Sequence, residues 1–310
     1  MKLLLLAMIS FFFIATSTLA ITRIPLYIPK NEELKTEVLG ENQDTSLSPI
    51  PVLVNEFDAP NLSAQSILVV DLPSEVTLYE KNPDDRLLPA STTKIVTALV
   101  AMDYYHPDEL VTAGAEIQVE GQKMKLVVGE KIKVGDLLYG LLVFSANDAA
   151  EVLAKNYPGG RASFITAMNL KAEELHLDHS SFYNPSGLDG KGQVTSARDL
   201  VRVSSVAMQN PIFREMVGTK EKIVYSYDGK ISHRLYNINE LLGEVDGVIG
   251  VKTGWTPDSH ENLVTYIERD EREVMIALLG SEDRFGETKE LIDWVFTNFD
   301  WWSVQRSIAQ

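Results

Sequence analysis

The sequence contains no cysteine among its 310 residues, and several kinds of chemistry are excluded with it. Disulfide bonds, thiolate metal sites, a cysteine nucleophile and a lipidated N-terminal cysteine all require a thiol. The chain must therefore be stabilised by its own core, and it is long enough to bury one. A content of 45% hydrophobic and 23% charged residues is ordinary for one large globular domain or two small ones.

Positive charge is scarce, because 28 lysine and arginine residues stand against 44 acidic residues and give a formal net charge of -16. This excess argues against polyanionic partners such as nucleic acid. A Ser-His-Asp hydrolase is also disfavoured. The sequence has no Gly-x-Ser-x-Gly nucleophile elbow, and none of its five histidines lies in a catalytic motif.

The first 20 residues have the features of an export signal. Lys2 supplies the positive charge, residues 3–15 form the apolar region, and Thr18-Leu19-Ala20 provides a small-residue cleavage site. An uncleaved anchor stays open, since the apolar stretch extends to roughly 18 residues, the lower limit for spanning a bilayer. Polar residues before Ala20 favour cleavage. Both alternatives place the rest of the chain outside the cytoplasmic membrane, either secreted or held only through this segment.

Residues 21–61 contain five prolines and acidic clusters without a lasting period, which predicts a linker. Beyond it, alternating and continuous apolar runs predict strands over 67–70, 76–79, 248–251, 262–267 and 273–279. Helical periodicity predicts helices over 89–104, 134–143, 148–154, 161–175, 196–208 and 288–299. Strands at both ends of the sequence around a long helical middle indicate an α+β fold with an inserted helical region.

Three short motifs occur once each and in a fixed order: Ser91-Thr-Thr-Lys94, Ser145-Ala-Asn147 and Lys252-Thr253-Gly254. The first places a serine nucleophile at the start of a helix, with a lysine one turn further on the same face. The third supplies a cation for a carboxylate. Each motif alone is a weak signal, but the ordered set is known from penicillin-interacting serine enzymes.

Residues 62–299 resemble the low-molecular-mass penicillin-binding proteins, the serine-type D-Ala-D-Ala carboxypeptidase family. Besides the three motifs, the resemblance rests on Leu88-Pro-Ala-Ser91, Asp136-Leu-Leu-Tyr-Gly-Leu-Leu, Phe182-Tyr-Asn184-Pro185-Ser-Gly187-Leu188, Thr195-Ser-Ala-Arg198-Asp199-Leu200 and Asn237-Ile-Asn239-Glu-Leu-Leu-Gly243. It implies a β-lactamase/DD-peptidase-like fold, in which an antiparallel sheet is flanked by helices and carries an inserted all-helical subdomain. Residues 62–300 would form this catalytic domain.

The resemblance also implies roles for individual residues. Ser91 would attack the substrate, Lys94 would act as the base, and Ser145 would relay the proton. Asn147 would hold the substrate amide and fix Lys94, while Lys252 and Thr253 would bind the terminal carboxylate beside Gly254. The backbone N–H groups of Ser91 and Trp255 would form the oxyanion hole. The substrate would be a peptidoglycan stem peptide ending in D-Ala-D-Ala, with β-lactams as covalent inhibitors and without a metal or cofactor.

Two features depart from the family pattern. Ser259-His260, followed by Glu261, stands where the family commonly has Ala-Gly, and a bulky histidine there is expected to alter the rim of the cleft. Residues 301–310 are expected to form only a short tail, in place of the C-terminal β-domain and membrane helix of many relatives.

Four alternatives stay open on the sequence. The enzyme could be an endopeptidase acting on cross-linked peptides, or a catalytically silent wall-binding protein. A class A β-lactamase is disfavoured because Glu173-Glu174-Leu175-His176 does not fit the glutamate motif of that class. His176 and His179 have metal-ligand spacing, although such a pair more often caps a helix C-terminus.

Overall fold

The computed structural model describes residues 48–55 and 57–303. The predicted export signal, residues 21–47 of the predicted linker and residues 304–310 of the tail lie outside the described residues. Among the residues it does describe, no helix has both the length and the apolar character needed to cross a bilayer.

In this part of the chain, eleven strands and seven α-helices follow one another. The strands are β1 (Ile50–Leu53), β2 (Ser66–Asp71), β3 (Val76–Lys81), β4 (Leu110–Thr112), β5 (Lys131–Lys133), β6 (Glu221–Tyr225), β7 (Ser232–Tyr236), β8 (Val248–Thr256), β9 (His260–Arg269), β10 (Arg272–Ser281) and β11 (Phe299–Trp302). The helices are α1 (Lys94–Tyr104), α2 (Val134–Leu142), α3 (Asn147–Asn156), α4 (Gly160–Glu174), α5 (Ala197–Met208), α6 (Pro211–Val217) and α7 (Arg284–Asn298).

Five strands form one antiparallel sheet in the order β3-β2-β10-β9-β8. Its central strands are buried on both faces, so they appear in the sequence as continuous apolar runs such as Val274–Leu279. One face, which includes Leu68 and Tyr266, packs against the helical region. The other, which includes Ile67 and Ile276, packs against the apolar side of α7. The predicted antiparallel α+β architecture is confirmed.

The region inserted between β3 and β8 is mainly helical, as expected, and helices α1 to α5 lie close to their predicted bounds. It is not entirely helical, because two short two-stranded antiparallel sheets, β4–β5 and β6–β7, lie within it. The first pairs three residues with three, too few to establish an alternating period in the sequence. The prediction of an all-helical insertion therefore needs this correction.

The prediction of a linker through residue 61 is wrong at its C-terminal end. Strand β1 pairs antiparallel with β11, so that Ile50 lies opposite Trp302 and Leu53 opposite Phe299. Trp301, assigned to the tail, donates from Nε1 to Asp71 Oδ1 at 2.6 Å. A four-residue strand containing a proline carries no periodic signal, and its partner lies about 250 residues away in the sequence.

Helix α7 begins four residues before its predicted start. Asp283 caps it, because its Oδ1 accepts a hydrogen bond from the backbone N–H of Gly286 at 2.9 Å. The earlier start makes Arg284 the first residue of the helix and places it beside the end of strand β8, where its guanidinium contacts Gly254.

Candidate active site

The site is built around the entry to helix α1. Pro89 leads into a 3-10 turn over Ala90–Thr93, which passes directly into the helix. Ala90 has a positive φ of 46°, a conformation that non-glycine residues seldom adopt. Within this turn the Ser91 hydroxyl stays partly exposed, while Lys94 is fully buried. Lys94 Nζ donates to Ser91 Oγ at 2.8 Å and also to the carbonyl oxygen of Ser186.

A second lysine approaches from the sheet. Lys252 on β8 is 2% exposed, and its Nζ donates to Ser145 Oγ at 2.9 Å and to the Thr253 carbonyl at 3.0 Å. Ser145 lies between α2 and α3 with a φ of 60°, so the break between these helices turns its side chain toward Lys252. The three sequence motifs thus converge as predicted, although they come from the first helix, a helix junction and an edge strand.

The surroundings of both lysines lower their pKa values. Burial is the main cause that lowers the pKa of Lys94 well below its ordinary value, and the nearby Lys252 ammonium lowers it further. Burial and the guanidinium of Arg284 together lower the pKa of Lys252 to about 7. At neutral pH, Lys94 is therefore the group better suited to act as a base, and Lys252 is divided between its charged and neutral forms.

Asn147 holds a loop at one wall of the site. Its side-chain Nδ2 donates to the carbonyl oxygen of Glu120 at 2.7 Å, and its backbone N–H donates to that of Gln122 at 2.7 Å. The expected contact of Asn147 with Lys94 is not formed, and Lys94 Nζ donates instead to Ser91 Oγ and the Ser186 carbonyl. Asn147 Oδ1 is buried without a hydrogen-bond partner, which leaves an acceptor for a ligand.

The remaining motif residues line the opposite wall. A Cβ on Gly254 would lie 3.0 Å from the backbone nitrogen of Ser91, so the glycine allows the strand to pass directly over the nucleophile. Thr253 Oγ1 is buried without a partner. Trp255 is 59% exposed at the rim. Between the walls lies a cleft of about 540 Å³ that includes Ser91, Ser145 and Thr253.

Arg284 also lines this cleft, and no sequence motif identifies it. Its Nη1 donates to the Gly254 carbonyl at 3.2 Å, and its Nε is buried without a partner. Only the fold brings the start of α7 to this place, so no local signal could reveal it. A larger cavity of about 840 Å³, lined by residues of β2, α5 and α6, contains none of the predicted catalytic residues.

The two residues that depart from the family pattern have different environments. Ser259 Oγ accepts from the backbone N–H of Thr256 at 3.0 Å and stabilises the turn between β8 and β9. His260 is exposed and is not among the residues that line the cleft. The expected change of the cleft rim by His260 is therefore not observed.

His176 follows helix α4 with a φ of 52°, the left-handed conformation typical of a helix C-terminus. This agrees with the capping interpretation of His176. His179 Nδ1 lies 3.8 Å from Asp84 Oδ1 and 3.9 Å from Asp199 Oδ1. Across residues 48–55 and 57–303, no set of three or more histidine and carboxylate side chains is arranged to hold a metal ion.

An antiparallel sheet with a helical insertion, and a serine hydroxyl beside a buried lysine at their junction, are typical of a class of serine enzymes. Comparison with known proteins identifies the family within this class. Residues 54–283 match the Peptidase S11 family, described as D-alanyl-D-alanine carboxypeptidase. The match extends over most of the chain, which therefore belongs to this family of serine peptidases.

Individual relatives agree with this assignment. The chain is 29% identical over 246 residues to the D-alanyl-D-alanine carboxypeptidase DacF of Bacillus subtilis, covering 76% of this chain and 63% of that protein. It is 33% identical to a D-alanyl-D-alanine endopeptidase of Pseudomonas aeruginosa, over 76% of this chain and 78% of that one. The crystal structure of the Streptomyces K15 DD-transpeptidase superposes with a TM-score of 0.74 and 31% identity, over 78% and 100% of the two chains. The β-lactamase-like DD-peptidase fold is thereby confirmed.

Gly187 provides a test of how Ser91 is positioned. It has a φ of +86°, and a Cβ there would overlap the carbonyl group of Ala90, next to the nucleophile. We expect Gly187→Ala to displace the turn that carries Ser91, to lower the free energy of unfolding by about 3 kcal/mol, and to abolish labelling of Ser91 by a fluorescent penicillin. Thermal unfolding and gel fluorescence measure the two effects.

Gly192→Ala is the matched control. Gly192 has a similar φ of +89°, but a Cβ added there would meet no other atom within 4 Å. Gly192→Ala should therefore lower the free energy of unfolding by only about 1 kcal/mol, the cost of a non-glycine residue at positive φ. Labelling of Ser91 by the fluorescent penicillin should be retained. Equal labelling in the two variants would contradict the proposed steric role of Gly187.

Proposed function

We propose that this protein is a serine-type D-Ala-D-Ala carboxypeptidase, which removes the terminal D-Ala from peptidoglycan stem peptides and is acylated by penicillins. The observation that supports it most directly is the pair formed by Ser91 and Lys94. A fully buried amine with a lowered pKa lies 2.8 Å from a partly exposed hydroxyl, the geometry required of a base and its nucleophile.

The reaction would proceed through an acyl-enzyme. Ser91 Oγ attacks the carbonyl carbon of the penultimate D-Ala while its proton passes to Lys94 Nζ. The C–N bond then breaks as the proton held by Lys94 passes through Ser145, which lies next to Lys252, to the leaving amine, and Lys94 is neutral again. Water then attacks the ester carbonyl while Lys94 accepts a proton from it. The ester C–O bond breaks, this proton returns to Ser91 Oγ, and the shortened peptide leaves as its carboxylic acid. The backbone N–H groups of Ser91 and Trp255 would stabilise the oxyanion, typically about 3 kcal/mol for each donor.

Recognition would use the groups that the fold leaves unpaired. The terminal carboxylate would bind Thr253 Oγ1 and the Arg284 guanidinium, which both line the cleft, and the ammonium of the adjacent Lys252. Asn147 Oδ1, also unpaired, would accept the N–H of the substrate amide. Endopeptidase action is the second candidate, favoured by the similarity to the Pseudomonas aeruginosa endopeptidase. Mass analysis of digested muropeptides separates the two, since only carboxypeptidase action removes a single D-Ala from uncross-linked stems.

Substitution of the nucleophile tests the proposal. We expect Ser91→Ala to abolish both D-Ala release and covalent penicillin labelling, because the Ser91 hydroxyl lies beside Lys94 Nζ and is partly exposed in the cleft, whereas Ser145 is buried. The fold should persist, since the Ser91 side chain is not part of the core, and circular dichroism checks this. A persistent penicillin adduct in Ser91→Ala would refute the assignment. Rapid turnover of penicillin by the unaltered protein would favour a β-lactamase, and absence of any adduct would favour a silent binding protein.

The pH profile tests the two lysines separately. Acylation needs neutral Lys94, so its rate should rise as pH rises through the lowered pKa of that group. Carboxylate binding needs charged Lys252, so kcat/KM for a D-Ala-D-Ala peptide should fall as pH rises through about 7. In Arg284→Gln, loss of the neighbouring positive charge should raise the pKa of Lys252 and move this falling limb to higher pH. If the falling limb of the kcat/KM profile stays at the same pH in Arg284→Gln, the effect of Arg284 on the pKa of Lys252 is contradicted.

We also propose that residues 1–20 direct export and that the enzyme acts outside the cytoplasmic membrane, in the periplasm or cell wall. The support is the charged, apolar and small-residue order of this segment. N-terminal sequencing of the exported protein is expected to give Ile21 in the soluble fraction. An intact Met1 in the membrane fraction would instead identify the segment as an anchor.

A further inference from the structure

Glu261 follows Ser259-His260 near the start of strand β9. It lies on β9 directly opposite Trp255 of β8, and Ser281 at the end of β10 lies on its other side. Glu261 is thus placed between the strand that carries the Lys-Thr-Gly motif and the residues that lead into α7. Its side chain is 29% exposed, so the carboxylate is turned largely into the protein.

Both oxygens of this carboxylate face Arg284. Oε2 accepts a hydrogen bond from the backbone N–H of Arg284 at 2.9 Å, and Oε1 lies 3.7 Å from Nη1 of the guanidinium. Among the described residues, Glu261 is the one acidic side chain within ion-pair distance of Arg284. A single side chain therefore holds both the main chain and the charged end of this arginine.

The remaining contacts fix Arg284 at the cleft but do not neutralise it. Nη1 donates to the carbonyl of Gly254, and the guanidinium carbon lies 4.7 Å from the ring centre of Phe285. The arginine side chain is only 16% exposed. An arginine has several rotatable bonds, and a ligand that has to order them itself loses part of its binding free energy.

We propose that Glu261 is a positioning residue that holds Arg284 at the cleft and thereby sets the preference for ligands with a free C-terminal carboxylate. This inference rests on the proposed function and deepens it, since it connects Glu261 with carboxypeptidase rather than endopeptidase substrates. The charge of Glu261 also opposes carboxylate binding. That opposition is weakened by solvent at a partly exposed group, whereas the loss of a fixed Arg284 geometry is not screened.

Binding to the inactive Ser91→Ala protein tests this inference without catalysis. The probes are a peptide ending in D-Ala-D-Ala and the same peptide with a C-terminal amide. Glu261→Gln in this background keeps an acceptor for the Arg284 N–H but removes the charge that orients the guanidinium. We expect the Kd of the acid to rise about threefold to tenfold, the size of effect expected for a partly buried ion pair, and that of the amide to stay unchanged.

Glu282→Gln is the matched control, because it removes an equal charge from an exposed side chain two residues before Arg284. It should alter neither Kd. Glu261→Asp keeps the charge but shortens the side chain, and should also weaken binding of the acid alone. Thermal unfolding identifies any variant that fails to fold, and either Glu261 variant is sufficient for the test.

The outcomes separate the inference from the proposed function. An unchanged or lowered Kd for the acid in Glu261→Gln, or an equal loss for acid and amide, would overturn the role of Glu261 while leaving the carboxypeptidase assignment intact. If the Ser91→Ala protein binds neither peptide, both the role of Glu261 and the proposed function are contradicted. Absence of D-Ala release by the unaltered enzyme shows independently that the proposed function has failed.

Discussion

Two lysine ammonium groups are enclosed in one site, and neither makes an ion pair with a described carboxylate. Removing a charged amine from water is costly, so the site can hold both only if their charge is reduced or every N–H finds an acceptor. Lys94 is met by Ser91 and the Ser186 carbonyl, and Lys252 by Ser145 and the Thr253 carbonyl. Burial, which makes the charged form of each amine costly, lowers both pKa values, so Lys94 is the amine better suited to act as a base and Lys252 stays partly charged at neutral pH.

Holding these groups together requires backbone that is itself constrained. Ala90 and Ser145 both adopt positive φ, one directly before the nucleophile and the other at the helix junction that meets Lys252. Such conformations persist only where surrounding contacts impose them. Gly187 and Gly254 provide those contacts by letting backbone pass closely on either side of the turn that carries Ser91. The five-stranded sheet and its two apolar layers give the rigid support on which this strain is tolerated.

Prediction from the sequence succeeded where residues that meet in the site are also close together in the chain. Ser91 and Lys94 are one helical turn apart, and Lys252, Thr253 and Gly254 are consecutive, so short motifs were sufficient to predict that they meet. Arg284 was not predicted because the start of α7 reaches the cleft only through the fold, in which β9 pairs with both β8 and β10. The Ser186 carbonyl was equally hidden, since any residue has one. Strand β1 was missed because it contains a proline and pairs with a strand about 250 residues away, and β4 and β5 were missed because three residues each cannot establish a period.

The pairing of β1 with β11 brings the two ends of the described chain together, since Ile50 lies opposite Trp302. The first and last strands of the catalytic unit are therefore neighbours, and the path of the chain almost closes on itself. A short peptide could join residue 303 to residue 48, and new termini could be opened at the exposed turn around Gly229, where the backbone has space on the side of its missing Cβ. Circular permutation is therefore compatible with this architecture. The permuted chain would begin and end at the turn around Gly229, and residues 48 and 303 would no longer be the ends of the catalytic unit.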